Sequence, residues 1–512
     1  MTETSANNKR IAKNTLLLYF RMLLMMAISL YTSRVMLKVL GVEDLGIYNV
    51  VGGVIAMLGF LSSSLSTATS RFITFELGCG DFDKLRRVFR SAVTVYYLLA
   101  IFIFIFGETI GLWFVTNKMV IPDDRMNAAL WVYQCSVFTS IIAILSYPYN
   151  ALIIAHERMS PFAYISIYEA LAKLAVTIAI IWTPFDKLSS YAILILCVQV
   201  SVRMIYALYC NRNFEETSAK WLWDKNISKE MFSFAGWTVT GCLAYVGYTQ
   251  GLNILLNLFF GPVVNAARAI SVQVQNAVYQ LVNNFQTAVN PQIIKSYSQG
   301  DLIYMHGLII NCSKFSFFIL LLFGLPIFIN TNYVLRLWLG EVPDYTIWFI
   351  RIMLLVGLNN SLARPTVTAI HSTGCIKKFQ IIESVCLLTV LPAAYIGLRF
   401  FYINPYMVFI VYFFIEIITQ FVRVIIVYPK IKLSVSIYMT EILYPIFKVC
   451  SPIILLIYVF SDYKPYSLPM FILHTLITMA LTALLIYLFG LKSSEKKSLR
   501  SKVNNIIQKK FK

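Results

Sequence analysis

The sequence predicts an all-α integral membrane protein of about 14 transmembrane helices, arranged as two parallel six-helix lobes plus two C-terminal helices. Three observations carry that prediction. The 512 residues are 59% hydrophobic and 13% charged, with a mean hydropathy of +0.72, and no long polar stretch is left to build an aqueous domain. Apolar spans of about twenty residues alternate with short loops throughout. The loops after every second span hold most of the Lys and Arg, which is the signature of a fixed orientation in a bilayer.

The first span lies near 14–36, behind Lys9, Arg10 and Lys13 and with no small-residue cleavage site, so Met1 to Asn14 reads as the flank of an uncleaved first helix. Spans near 47–70, 91–115, 128–154, 162–183 and 190–209 complete a first group. Spans near 231–260, 265–293, 307–330, 346–371, 379–399 and 406–428 form a second, and two more follow near 446–461 and 469–491. Basic clusters fall at Lys84, Arg86, Arg87 and Arg90, at Arg212, Lys220, Lys225 and Lys229, at Lys377 and Lys378, and at Lys430 and Lys432. That side is the cytoplasm, which puts both termini there. The net charge of +19 then reads as orientation signals and contacts to anionic membrane lipids, and nucleic acid is set aside as a partner.

A repeat relates the two groups of six. A shift of 220 residues places Gly41 on Gly261, Leu61 on Leu281, Thr67-Ala68 on Thr287-Ala288 and Gly80-Asp81 on Gly300-Asp301. A shift of 217 then superposes Pro148 on Pro365 and Phe162 on Phe379. An even number of spans per repeat gives both lobes one orientation, and two such lobes facing each other would enclose a cavity. The domains expected are a lobe at 1–210, a cytoplasmic linker at 211–230, a lobe at 231–430, two accessory spans at 431–491 and a basic amphipathic tail at 492–512.

Enzyme chemistry is hard to find. No GxxxxGK loop is present to cradle nucleotide phosphates, and no HExxH, since His156 is followed by Glu157, Arg158 and Met159. The four histidines are far apart in sequence, and the nine cysteines show no CxxC spacing, so neither a metal site nor any other cofactor is expected. Glu43-Asp44 reads as a turn between helices in preference to a glycosyltransferase acid.

Charges within the spans are informative, because an ionisable group at bilayer depth costs several kcal/mol without a polar cavity or a partner. Arg21, Arg268 and Arg364 are the candidates to face such a cavity, and Lys314 is a further cation inside a span. Lys314, Arg351 and Arg423 also lie close enough to span ends to snorkel toward water. Glu169 and Lys173 share one helix face at i and i+4, where they can pair with each other, and Glu383 and Glu416 flank the basic residues of the second lobe. Uncharged polar residues concentrate on the second span, from Ser62 to Ser70, and on its repeat partner, where Asn276 and Gln280 suit a water-filled path, sugar hydroxyls or hydrogen bonds between helices.

Several runs resemble a known family. Leu40-Gly41-Val42-Glu43-Asp44-Leu45-Gly46-Ile47-Tyr48 is similar to the corresponding segment of polysaccharide flippases, the Wzx-like branch of the multidrug/oligosaccharidyl-lipid/polysaccharide exporter superfamily. Gly80-Asp81 with Lys84-Leu85, Pro291 followed by Gly300-Asp301, and Ser228 through Trp237 are similar to it too. The resemblance implies a V-shaped pair of six-helix lobes. It also implies alternating-access export of an undecaprenyl-pyrophosphate-linked oligosaccharide, with other polysaccharide-assembly proteins as partners. On that implied substrate Arg21, Arg268, Arg364 and Lys314 would bind the pyrophosphate, guanidinium suiting it through paired donors. Asn276 and Gln280 would meet the glycan, Glu169, Lys173 and Glu416 would couple transport to a proton or sodium gradient, and the membrane would be a bacterial inner one. A small-molecule or multidrug antiporter of the same fold and a membrane polysaccharide polymerase or glycosyltransferase are the alternatives.

Overall fold

The structure is a computed structural model that describes residues 3–56, 59–119, 121–217, 224–339, 342–461, 467–497 and 500. The centre of the expected 211–230 linker and nearly all of the expected tail beyond Lys497 lie outside the described residues.

Helices fill the chain. They are α1 Glu3–Ala56, α2 Gly59–Cys79, α3 Phe82–Phe106, α4 Leu112–Asn117, α5 Met126–Ala155, α6 Met159–Ala179 and α7 Lys187–Asn213. The series continues with α8 Lys225–Phe260, α9 Pro262–Ser298, α10 Leu302–Ile329, α11 Thr331–Leu339, α12 Thr346–Thr373, α13 Lys377–Leu388 and α14 Val390–Phe400. It closes with α15 Pro405–Lys430, α16 Val435–Ile437, α17 Tyr444–Ser461 and α18 Leu468–Leu485. Eleven helical stretches among the described residues are long and apolar enough to cross a membrane. The other long helices, α2, α8 and α9, are those whose Ser, Thr, Asn and Gln lower their hydropathy, so the all-α multi-pass class predicted from sequence holds.

Local chemistry sets the helix ends. Asp81 caps α3 by accepting from the Lys84 backbone N–H at 2.9 Å, and Asp186 caps α7 by accepting from that of Ser189 at 2.8 Å. Where the sequence predicts a loop between the first two spans, a turn of one non-helical residue, Gly41 at φ 79°, divides α1 into two helical segments. Only a residue without a Cβ enters that region cheaply. Its repeat counterpart Gly261 has φ 78°, and Gly80 and Gly300 have 76° and 77°, so the sequence repeat is also a repeat of backbone conformation.

The chain divides into two compact units: Met1–Leu243 with Pro291–Asp301, and Ala244–Asn290 with Leu302–Lys512. In the first, α5 is the central helix and packs on α1, α2, α3 and α7, burying Val132, Tyr133 and Val137 against Val51, Ile55 and Leu188. In the second, α12 takes the same place against α10 and α15. Its Phe349, Met353 and Val356 are buried with Tyr248, Leu252 and Phe409. Leu98, Ile101, Phe102 and Ile105 of α3 are exposed, as befits a surface that acyl chains cover.

Candidate functional site

The second unit carries three of the predicted residues on two helices, α9 and α12, that meet at Tyr279. Helix α9 exposes Gln273, Asn276 and Gln280, spaced for a single face, and buries Val264, Ala267, Ser271, Val278 and Val282 on the other. Tyr279 crosses to α12, where its hydroxyl donates to the Asn360 carbonyl at 3.4 Å. Arg364, one turn along α12, stands beside that hydroxyl. It is exposed although its neighbours Ala363 and Pro365 are buried, and no carboxylate pairs with it among the described residues. A guanidinium at bilayer depth is equipped to take a phosphate through paired N–H donors, and amides exposed on a helix face can meet sugar hydroxyls.

The other intramembrane cations predicted in this unit make contacts within it, two of them with carboxylates. Arg268 is buried, with Nη2 donating to the Thr249 carbonyl at 2.8 Å and Nη1 to Asn253 Oδ1. Arg423 lies between two carboxylates, 2.6 Å from Glu383 and 3.2 Å from Glu416, and the Tyr412 hydroxyl donates to Glu416 at 3.5 Å. Lys314 is fully buried, with Nζ 2.6 and 2.9 Å from the two carboxylate oxygens of Glu495. The snorkelling expected of Lys314 and Arg423 is therefore not what occurs, because each finds an acidic partner that compensates its burial. Arg351 donates to the Phe328 carbonyl at 3.1 Å.

In the first unit Arg21 is half-buried, donating to the Ser166 hydroxyl at 3.1 Å with its guanidinium 4.4 Å from the centre of the Phe162 ring. Glu169 and Lys173 form an ion pair of 2.6 Å on α6. Asp44 is held by Arg125, which also reaches Asp186 at 2.8 Å, so this acid is engaged in a clamp; the Glu43 side chain lies outside the described residues. Burial alone would raise the Asp186 pKa, but the Ser189 hydrogen bonds and the Arg125 guanidinium outweigh it and hold the carboxyl below its ordinary range. A cavity of about 300 Å³ opens among Tyr48, Asn49, Gly52, Ser136, Thr139 and Ser140. Its wall carries hydroxyl and amide groups and no charge.

Two residues escaped the sequence reading. Glu157 is a fully buried carboxylate contacted by Arg10 at 2.7 Å, Lys295 at 2.8 Å and Gln292 at 2.7 Å. Its signal was the positive-φ position it shares, 217 residues apart, with Gly374. Glu108 is the other, a solitary acid between two glycines in the most apolar part of the third span. Among the described residues no group of three or more His, Cys, Asp or Glu is placed to hold a metal ion.

Residues 18–181 match the MatE family. No match is found among curated proteins. Among solved structures the chain is similar to a point mutant of a MATE protein, with 13% identity, a TM-score of 0.72, and 84% of this chain and 98% of that one covered. It is similar also to an outward-facing multidrug resistance MATE family transporter of the MOP superfamily, at 14% identity and TM-score 0.72, covering 83% and 96%. A MOP superfamily transporter from Pyrococcus furiosus, described by the reverse polarity of its binding pocket and a suggested different function, aligns at 14% identity and TM-score 0.70, again over 83% and 96%. The chain thus has the MATE transporter fold.

Proposed function

We propose that this protein is a multi-pass transporter working by alternating access, and that its cargo is an anionic, sugar-bearing lipid of the undecaprenyl-pyrophosphate oligosaccharide class. The bilayer would be a bacterial inner membrane with both termini cytoplasmic, and the lipid would serve surface-polysaccharide assembly alongside other proteins of that process. The observation that carries the reading is Arg364, an exposed cation at bilayer depth beside Tyr279, whose helix also exposes Asn276 and Gln280. Such a site favours phosphate and hydroxyl groups over a cationic drug.

The comparisons weigh more toward a second reading, an ion-coupled multidrug antiporter, because the similar structures include a multidrug resistance transporter. The Pyrococcus relative, by its own description, ties a change in pocket polarity to a change in function. Polarity is therefore the property to test. Purified protein in liposomes is given a fluorescent undecaprenyl-pyrophosphate oligosaccharide or ethidium, under imposed proton or sodium gradients. Leaflet exchange of the lipid is expected, falling roughly tenfold or more in Arg364→Ala, the equivalent of losing a charge-assisted hydrogen bond. Ethidium movement without lipid exchange would establish the second reading, and glycan elongation on adding donor sugar would make the protein an enzyme.

A further inference from the structure

The last candidate span, Leu468–Gly490, ends pressed on its neighbours: a Cβ on Gly490 would stand 2.7 Å from the Phe318 ring of α10 and 3.0 Å from Val449 of α17. The chain then turns through Leu491, extended at φ −101° and ψ 139°, into a short helical run at 493–497. Polar contacts hold this segment in place. The Lys492 backbone N–H donates to Glu495 Oε2 at 2.8 Å, the Lys492 ammonium pairs with Glu441, and Lys496 Nζ donates to the Leu488 carbonyl at 2.8 Å.

Glu495 is turned inward, where both of its oxygens accept from Lys314 Nζ, at 2.6 and 2.9 Å. The Lys314 side chain has no exposure while that of Glu495 keeps 19%, so the carboxylate lies between the ammonium and solvent. Because Glu495 comes just after the end of a span, the pair lies at the membrane boundary, the level of lipid phosphates. Glu495 is also the only acidic side chain from Tyr463 to Lys512, and Lys and Arg supply every other side-chain charge of residues 492–512. The single acid of a basic tail is the one that is inserted.

A buried ion pair is seldom more stable than apolar packing of the same volume, and its best-attested uses are register and switching. We infer that Lys314 is a phosphate site for an anionic phospholipid of the adjoining leaflet, and that residues 491–497 are its built-in plug, the Glu495 carboxylate standing where the lipid phosphate binds. Lys314 keeps an anionic partner in both states, and Glu495 regains its hydration when displaced. Anionic lipid acts twice, by supplying the phosphate and by drawing the Lys and Arg beyond Glu495 to its surface. The lipid composition thereby sets whether the C-terminal segment is clasped to α10 or released to the leaflet. This holds whatever cargo the protein carries.

The full chain is placed in nanodiscs of phosphatidylcholine with increasing phosphatidylglycerol, and hydrogen exchange is followed at 491–497. In wild type, exchange there is expected to rise about tenfold as phosphatidylglycerol is added. In Lys314→Met, which keeps the volume and removes the cation, the segment should exchange fast at every composition. Native mass spectrometry of the protein titrated with phosphatidylglycerol gives the second readout. Wild type is expected to hold one such lipid, Glu495→Gln to hold it about tenfold more tightly because the competing carboxylate is gone, and Lys314→Met to lose it. A segment that stays protected in wild type at all compositions overturns the inference. So does equal affinity in the three proteins, or a lipid retained in Lys314→Met, as would occur if the basic tail alone sensed the leaflet. Should Glu495→Gln fail to fold, wild type and Lys314→Met decide by themselves, since only the first is expected to hold the lipid.

Discussion

The two units place one backbone turn in the same position and hold it by opposite means. After α12 the chain reverses through Gly374 at φ 76°, where a residue lacking a Cβ needs no help. After α5, 217 residues earlier, Glu157 adopts φ 58°, a conformation that costs a residue with a Cβ about 1–2 kcal/mol. It is kept there by Arg10, Lys295 and Gln292 on its carboxylate and by the Asn14 amide, which donates to its carbonyl at 3.0 Å. One turn is therefore autonomous, and the other depends on α1 and on the last turns of α9, both within the first unit. A repeat can conserve a shape while moving its support from the backbone to tertiary contacts.

The sharpest test of how each unit supports itself is to strand a charge. In the second unit, Glu495→Ala leaves Lys314 fully buried without its partner, and a loss of about 3–5 kcal/mol is expected. Lys314→Met, which removes the charge and keeps the volume, should cost far less. Denaturant titration of the purified protein measures both, and equal losses would show that the pair contributes only packing. In the first unit, Glu157→Ala should cost roughly 3 kcal/mol, and Glu157→Gly less by about 1–2 kcal/mol, because glycine removes the backbone strain. Gly374→Ala should introduce that same strain in the second unit. If Glu157→Gly proves no better than Glu157→Ala, the turn is not strained and the comparison between units collapses. Glu169→Ala, which strips Lys173 of its carboxylate inside the span Met159–Trp182, is expected to cost about 2–3 kcal/mol.

Much of the fold was legible because bilayer crossing imposes length and apolarity on a span directly, and because Gly41, Gly261, Gly80 and Gly300 mark turns that glycine alone enters cheaply. The Asn276 and Gln280 row was legible for a related reason, since helical spacing fixes which residues share a face. The fate of individual charges was not. Lys314 and Arg364 look alike in sequence, each a cation inside an apolar run, yet one is neutralised by Glu495, 181 residues away, and the other has no carboxylate partner among the described residues. Sequence spacing carries no information about such distant pairing. Glu108 was missed because a solitary acid has no periodic partner to draw attention to it, and the π-helical turn Gly107–Gly111 that presents it depends on the Tyr133 hydroxyl of another helix.

The smallest expected effect lies just past the two glycine kinks. A shift of 220 places Asp44 on Val264. Val264 is buried in an apolar cluster, whereas Asp44 is clamped by Arg125, which also holds Asp186. Because the folded-state pKa of Asp186 lies below its ordinary value, its contribution is complete above the unfolded pKa of about 4 and is lost as pH falls through the lower folded value. Solvent reaches this carboxylate, so the contribution is below about 1 kcal/mol. Hydrogen exchange, corrected for intrinsic rates, should therefore show residues 41–48 loosening in acid while 261–268 do not, and Asp186→Asn should remove that difference by loosening 41–48 already at neutral pH. An equal acid response in both segments would mean that the clamp adds nothing the apolar packing of the second unit does not already supply.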